Sequence, residues 1–263
     1  MGMKIGCVAT TGTYSIVCES GFDYAEFSGR DLCALGEGEY AQFRRILHSG
    51  DIPCYGLNAY CPPEIRVAGP GCSISTAKEY AKRCLARAAE LGVRVVCVGS
   101  PKSRQLPDGY DNQLAMRQAE DFFAATAEIF AEESIIVCVE ALGPCYCNFI
   151  NRLYEAHDIV RSVNMKNLKL VADFYNMEHN AEADISLSPF VYDIAHAHIS
   201  DDAGSPQKRS FLKPEKRGLH IERLKGLYAL GYRGAVTLEI DVPANLKEAS
   251  QSLGILRDAA TRL

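Results

Sequence analysis

A single (β/α)₈ barrel is the architecture this sequence predicts, and three observations predict it. Short apolar runs rich in β-branched residues recur along the 263 residues, separated by stretches with helical periodicity. No shift in composition divides the chain, and a barrel of this class fits its length as one domain, residues 1–263. Four consecutive runs in the second half end in a carboxylate or a histidine, at the strand end where such barrels place their chemistry.

The first strand is read at Lys4 to Ala9, followed by a short helix through Glu19. F-D-Y-A-E-F makes the second strand, with Glu26 near its end, and Asp31 to Ser49 carries apolar residues at helical spacing. I-P-C-Y-G-L-N is the third strand, its Pro53 tolerated at a strand start. A Pro- and Gly-rich loop then leads to a helix that Ser75 can cap and Gly92 terminates. V-R-V-V-C-V-G-S forms the fourth strand, and a helix runs from about Gln113 to Glu132. The fifth strand, S-I-I-V-C-V-E, reads as buried on both faces and closes on Glu140. Phe149 to Val163 is helical. L-K-L-V-A-D then ends at Asp173, I-A-H-A-H at His198 and A-V-T-L-E at Glu239. A long basic loop follows His198, and the last helices are expected at Ile221 to Leu230 and Leu246 to Thr261.

Composition narrows the function. A net charge of −5 with 23% charged residues does not favour a nucleic-acid backbone as partner. The first residues, M-G-M-K-I-G-C-V-A-T, carry neither a long apolar stretch nor a cleavage pattern, and no run has the length of a membrane span. The eleven Cys show no pair-of-pairs spacing for zinc, and Cys7, Cys97 and Cys138 lie inside apolar runs. A cytoplasmic protein with reduced thiols and no membrane partner is the expectation.

Two Glu, an Asp and a His form a mostly oxygen-donor set with one imidazole, which suits Mn²⁺, Mg²⁺ or Co²⁺, with Zn²⁺ a further option. Taken singly, each residue has a plainer account: a carboxylate past a strand caps the next helix, and a histidine in an apolar run sits in the core. Their shared position at the ends of strands five to eight shifts the weight towards one site. His196 and His198 share a face; His198, nearer the strand end, is the better ligand, and His196 falls in the core below it.

The chain resembles the xylose-isomerase-like sugar phosphate isomerases and epimerases, whose TIM barrel is shared with an endonuclease IV branch. The resemblance is carried in order by G-F-D-Y-A-E-F, A-A-E-L-G-V-R-V-V-C-V-G-S, V-E-A-L with N-F-I-N, L-V-A-D-F-Y-N-M, H-A-H-I-S-D and G-Y-R-G-A-V-T-L-E. It implies one divalent cation on Glu140, Asp173, His198 and Glu239. It also implies that Glu140 and Glu239 are the catalytic pair, exchanging the substrate proton. The chain departs from the pattern at two substrate positions. Asn176 stands where a histidine commonly completes D-x-x-H, with His179 as a substitute, and Tyr146 stands where ketose epimerases carry a Glu. Arg209 is the counterpart of an arginine that contacts substrate in the loop after His198.

A metal-dependent isomerase or epimerase of a small sugar, ketose or sugar phosphate is therefore expected, and a homo-oligomer is compatible with it. A dehydratase or lyase of a polyol or keto acid would use the same metal and base, and a non-catalytic sugar- or metal-binding protein is the third reading. An endonuclease of this fold would need several zinc ions and many His, against the six here. The scattered Cys give no nucleophile–base pairing, so thiol chemistry is not expected in the mechanism.

Overall fold

Eight parallel strands close into a barrel, each wrapped on its outer side by the helices that connect it to the next. The computed structural model describes residues 3–261. In chain order the elements are β1 (Ile5–Val8), α1 (Tyr14–Glu19), β2 (Tyr24–Ser28), α2 (Gly29–Ala34), α3 (Glu37–His48), β3 (Cys54–Asn58), α4 (Ile74–Glu90) and β4 (Val95–Val98). There follow α5 (Pro101–Arg104), α6 (Asn112–Ala131), β5 (Ile136–Glu140), α7 (Leu153–Val163), β6 (Leu168–Asp173), α8 (Phe174–His179) and β7 (Ile194–Ile199). A two-stranded hairpin of β8 (Asp201–Asp202) and β9 (Arg209–Ser210) precedes α9 (Arg217–Ala229), β10 (Ala235–Leu238) and α10 (Leu246–Thr261). Around the barrel the order is β1, β10, β7, β6, β5, β4, β3, β2, so every strand lies beside its neighbour in sequence once the hairpin is set aside.

The strands are buried on both faces, and this is why they read as continuous apolar runs rather than as alternation. Outward residues such as Val96, Val137 and Val139 pack under the helices in the main core. Inward residues such as Val95, Cys97, Cys138 and Val171 form a smaller cluster inside the barrel.

Helix boundaries differ from the sequence expectation where local chemistry decides. The single helix expected from Asp31 to Ser49 is two: Leu35 is extended (ψ 137°), and Glu39 accepts from the Gly36 backbone N–H at 2.8 Å to start α3 afresh. Ser73, not Ser75, caps α4. The helix expected from Phe149 begins at Leu153.

The basic loop after His198 is ordered. Asp202 pairs with Arg209 across the hairpin, a 3-10 turn spans Pro214–Lys216, and α9 starts at Arg217 rather than Ile221. Its anchor is Asp201, fully buried, which accepts from His220 Nε2 (2.8 Å) and the Lys213 backbone N–H (2.7 Å) and pairs with Lys216 (3.1 Å). Lys213 also pairs with Asp202, and Arg217 with Asp258.

Candidate metal centre

Strand pairing brings four separate strand ends to one mouth of the barrel. Asp173 on β6 is in register with His198 on β7, and His198 with Thr237 on β10, two residues before Glu239. Glu140 closes β5 beside β6. One ligand atom from each of Glu140, Asp173, His198 and Glu239 lies within 4.8 Å of the others. The first three are buried and Glu239 nearly so.

A divalent ion fits this donor set. His198 Nδ1 stands 3.2 Å from Glu239 Oε2 and 3.5 Å from Glu140 Oε1, yet it makes no hydrogen bond despite full burial. An imidazole nitrogen left unbonded among three carboxylates is placed as a ligand rather than as a satisfied core group. The crowding is visible in the acidities. Burial pushes Glu140 up to about 7, and the neighbouring Glu239 and Asp173 carboxylates add to the rise against His198. Burial also raises Glu239 and Asp173, but Arg209 and His198 together outweigh it in both, and Asp173 settles at about 2. Burial opposes charge on His198, whereas Glu239 and Glu26 hold its proton on well above the usual range.

Asp173 serves two ends at once. Its Oδ1 caps α8, accepting from the Tyr175 and Asn176 backbone N–H groups at 2.9 and 3.2 Å. Its Oδ2 remains in the cluster, 2.7 Å from Arg209 Nη2. Helix cap and site ligand are compatible because the two oxygens face different ways.

A carboxylate below the cluster holds His198 in place. Glu26 Oε1 lies 3.2 Å from His198 Nε2, while Oε2 lies 3.1 Å from His196 Nε2 and accepts from Thr237 Oγ1 at 2.6 Å. An acceptor on Nε2 keeps the proton there and leaves Nδ1 for the cluster. Alternation along β2 puts Glu26 on the inward face with Tyr24, and a register shift on β3 sets Gly56 opposite it, where an added Cβ would come within 3.1 Å of the Glu26 side chain.

A family profile for the xylose isomerase-like TIM barrel matches residues 15–259. The chain belongs to that family. No curated protein matches this sequence. Among solved structures it is similar to the 3-keto-D-glucoside 4-epimerase YcjR from E. coli, at 18% identity over 97% of this chain and 99% of that one, with a TM-score of 0.73. D-psicose 3-epimerase from Clostridium cellulolyticum H10, solved with D-tagatose, matches at 18% identity over 98% and 99%, with a TM-score of 0.77. An AP endonuclease of family 2 from Brucella melitensis matches at 18% over 98% and 99%, with a TM-score of 0.68. Identities this low establish the shared fold, which epimerases and a nuclease-type relative hold in common.

In this xylose isomerase-like barrel the cluster opens into a chamber of about 160 Å³ that both Glu140 and Glu239 line. Of the residues read from sequence as substrate-binding, Arg209 and Tyr146 line it as well. Arg209 is buried. Beyond Asp173 it reaches Glu239 Oε2 at 3.0 Å and Ser200 Oγ at 3.2 Å, and its guanidinium carbon is 4.7 Å from the Tyr175 ring centre. The Tyr146 hydroxyl is buried without a hydrogen-bond partner. Asn176 takes a different position, behind the carboxylates: its amide donates to Asp173 Oδ2 at 2.6 Å and to Glu140 Oε1 at 3.4 Å, and its oxygen accepts from the Gly143 N–H. His179 is not among the residues described as lining the chamber; its ring packs edge-on against Tyr175, centroids 4.5 Å apart.

Three contributors escaped the sequence reading. Glu26 was placed near a strand end but given no role. Asn58, which closes β3 and donates to Glu239 Oε1 at 3.1 Å, ends a strand in the same way. The rule that singled out the four candidate ligands, a polar residue closing an apolar run, also finds Asn58; Glu26 lies mid-strand, with Phe27 and Ser28 after it. Gly99 carries no such signal, yet a Cβ there would lie 2.4 Å from Glu140 Oε2.

Proposed function

We propose that this protein is a metal-dependent isomerase or epimerase of a small sugar, with Glu140 and Glu239 exchanging a proton at a carbon next to a carbonyl. The observation that carries the reading is the position of these two carboxylates, which come from strands on different sides of β6 and β7 and line one chamber. Glu140, Asp173, His198 and Glu239 would hold the ion, and a divalent cation there supplies the Lewis acidity that makes such a carbon acidic.

The remaining steps belong to the chain. Glu239, held ionised by Arg209 and His198 against its burial, removes the proton. Glu140, which lines the same chamber from another strand, returns one drawn from solvent. Asn58 fixes the Glu239 carboxylate through Oε1, with Arg209 and His198 beside its Oε2, and Asn176 fixes Glu140 through Oε1 and leaves Oε2 for the substrate. Arg209 and the unpartnered Tyr146 hydroxyl bind substrate oxygens, and the walls of the chamber limit access of water to the reacting carbon.

The test is incubation of the protein, loaded with Mn²⁺, Mg²⁺ or Co²⁺, with ketoses, aldoses and their glycosides and phosphates in D₂O. Deuterium entering one carbon-bound position of a substrate, and lost in both Glu140→Gln and Glu239→Gln, supports the mechanism. Elimination of water from the same panel without exchange would replace it with a lyase.

A further inference from the structure

The inner chamber is not the whole of the cleft. Beside it lies a larger cavity of about 450 Å³ over the ends of β1, β2, β3 and β10, and Ala59 and Asp241 line both. Alone, the outer cavity already falls in the range of about 300–1,000 Å³ typical of small-molecule sites.

Its lining has a definite chemical character. The residues after β1, β2 and β3 contribute Thr10, Thr13, Ser28, Asn58 and Arg30 with Asp31, and the segment after β10 is mostly aliphatic, with Ile240, Val242, Pro243 and Ala244 around Asp241. Hydroxyl and amide groups together with an aliphatic segment suit a sugar ring, which presents hydroxyls at its edge and C–H bonds on its face. Charge is what separates the candidate ligands. Arg30, the one cation in the described lining, is paired with Asp31 at 2.9 Å, and Asp241 adds a carboxylate. A phosphate dianion would meet a lining whose balance is negative, with no free guanidinium to bind it.

The two chambers meet at a ridge formed by Ala59, which lines both. Ala59 has φ +42°, a left-handed conformation that costs energy for an alanine and persists where neighbours enforce it. The enforcing contact is the Arg30 N–H donating to the Ala59 carbonyl at 3.1 Å. Immediately before it, Asn58 lines the outer cavity while donating to Glu239 in the inner site, so one residue touches both.

We propose that the outer cavity binds a second, uncharged polyhydroxy ring, so that the substrate is a glycoside or disaccharide rather than a free or phosphorylated monosaccharide. This rests on the reading of the inner chamber as a sugar isomerase site. The ring that reacts occupies the inner chamber, its glycosidic oxygen crosses the Ala59 ridge, and the second ring lies against Thr10, Thr13 and Arg30.

The experiment measures binding of disaccharides and methyl glycosides of glucose, galactose and fructose, the free monosaccharides and their 6-phosphates, by calorimetry on the Mn²⁺-loaded protein. Val242→Trp, which fills the outer cavity from a residue outside the inner chamber, is measured in parallel, with its melting curve as a check of folding. At least one disaccharide is expected to bind about tenfold or more tightly than its monosaccharide. Val242→Trp should remove that advantage and leave the monosaccharide affinity within about twofold. A phosphate binding best, or disaccharides binding no better than monosaccharides, overturns the inference while leaving the inner site standing. So does an equal loss of both ligand classes in a folded Val242→Trp. Absence of any sugar binding, with the ion bound, removes the isomerase reading and this inference together.

Discussion

Replacing Glu26 separates a residue that positions the metal centre from one that merely fills the barrel. Its carboxylate touches nothing in the substrate chamber, but it accepts at once from His198, His196 and Thr237, all fully buried. Glu26→Ala would leave His198 Nε2 unpaired, at a cost of about 1–3 kcal/mol, and would open a cavity beside His196 and Thr237, together enough to endanger folding. Glu26→Gln is the informative change, because it keeps the volume and one acceptor oxygen while presenting an N–H₂ to either His198 or the His196–Thr237 pair. Thr237 can accept from that amide instead of donating to it, and Tyr24, 2.8 Å from its hydroxyl, can accept the displaced proton. The barrel should therefore survive with a drop in Tm of about 2–8 °C, from about 1–2 kcal/mol. The loss at the ion is larger in proportion. Partners that orient a ligating imidazole are worth about 10–100-fold in metal affinity, or about 1.4–2.7 kcal/mol. Calorimetric titration of Mn²⁺ into both proteins, with melting curves taken with and without the ion, measures the two effects separately. An unchanged Mn²⁺ affinity alongside a lowered Tm would refute the positioning role. The titration also counts ions: two per chain would make Glu26, Cys97, His196 and His198, a second group within ligand reach, an ion site of their own.

Other expectations follow from the same geometry. Gly99→Ala should weaken Mn²⁺ binding with little change in Tm, because its Cβ would stand 2.4 Å from Glu140 Oε2 and turn that carboxylate aside; calorimetry and a melt check both. Mn²⁺ affinity should rise with pH through about 7, since Glu140 holds a proton below that value that the ion must displace. About one and a half protons should leave per ion at neutral pH, one from His198 and about half from Glu140, read from the buffer dependence of the binding enthalpy. Burial raises Asp201, but its His220 and Lys213 hydrogen bonds bring it down to about 2. Its stabilisation is thus complete above the ordinary carboxylate value and lost as pH falls through about 2, so Asp201→Asn should flatten the fall in Tm between about pH 4 and 2.

The strand ends were legible because a parallel barrel buries its strands on both faces. A carboxylate closing such a run stands out against apolar neighbours, and the common direction of the strands puts all four at the same mouth. The hairpin was not legible. Its strands are two residues each, polar, and held by Asp201 and Arg209 through partners distant in sequence. Arg209 was singled out in its basic loop only by the family resemblance, and its burial depends on carboxylates from two other strands that the sequence does not place beside it. The positions of Asn176 and His179 turn on where α8 begins. Because Asp173 caps that helix directly, Asn176 falls one turn along, over the carboxylate, and His179 a turn further out.

Charge balance links the inner site to its proposed substrate. Three carboxylates within 4.8 Å repel one another unless positive charge lies among them. The chain by itself provides Arg209 and a protonated His198, and the rise of Glu140 to about 7 removes one negative charge near neutral pH. With Glu140 protonated, two carboxylates then face two cations. A dication displacing both protons restores the same balance: three carboxylates against Arg209 and the two charges of the ion. Either way the cluster with Arg209 is near neutral, Asp241 adds a further carboxyl to the chamber lining, and Arg209 is already committed to Asp173 and Glu239, so an anionic group finds no spare cation there. The Arg30–Asp31 pair imposes the same condition on the outer cavity. Selection must then come from hydrogen bonds and shape, which is how a protein distinguishes neutral sugars.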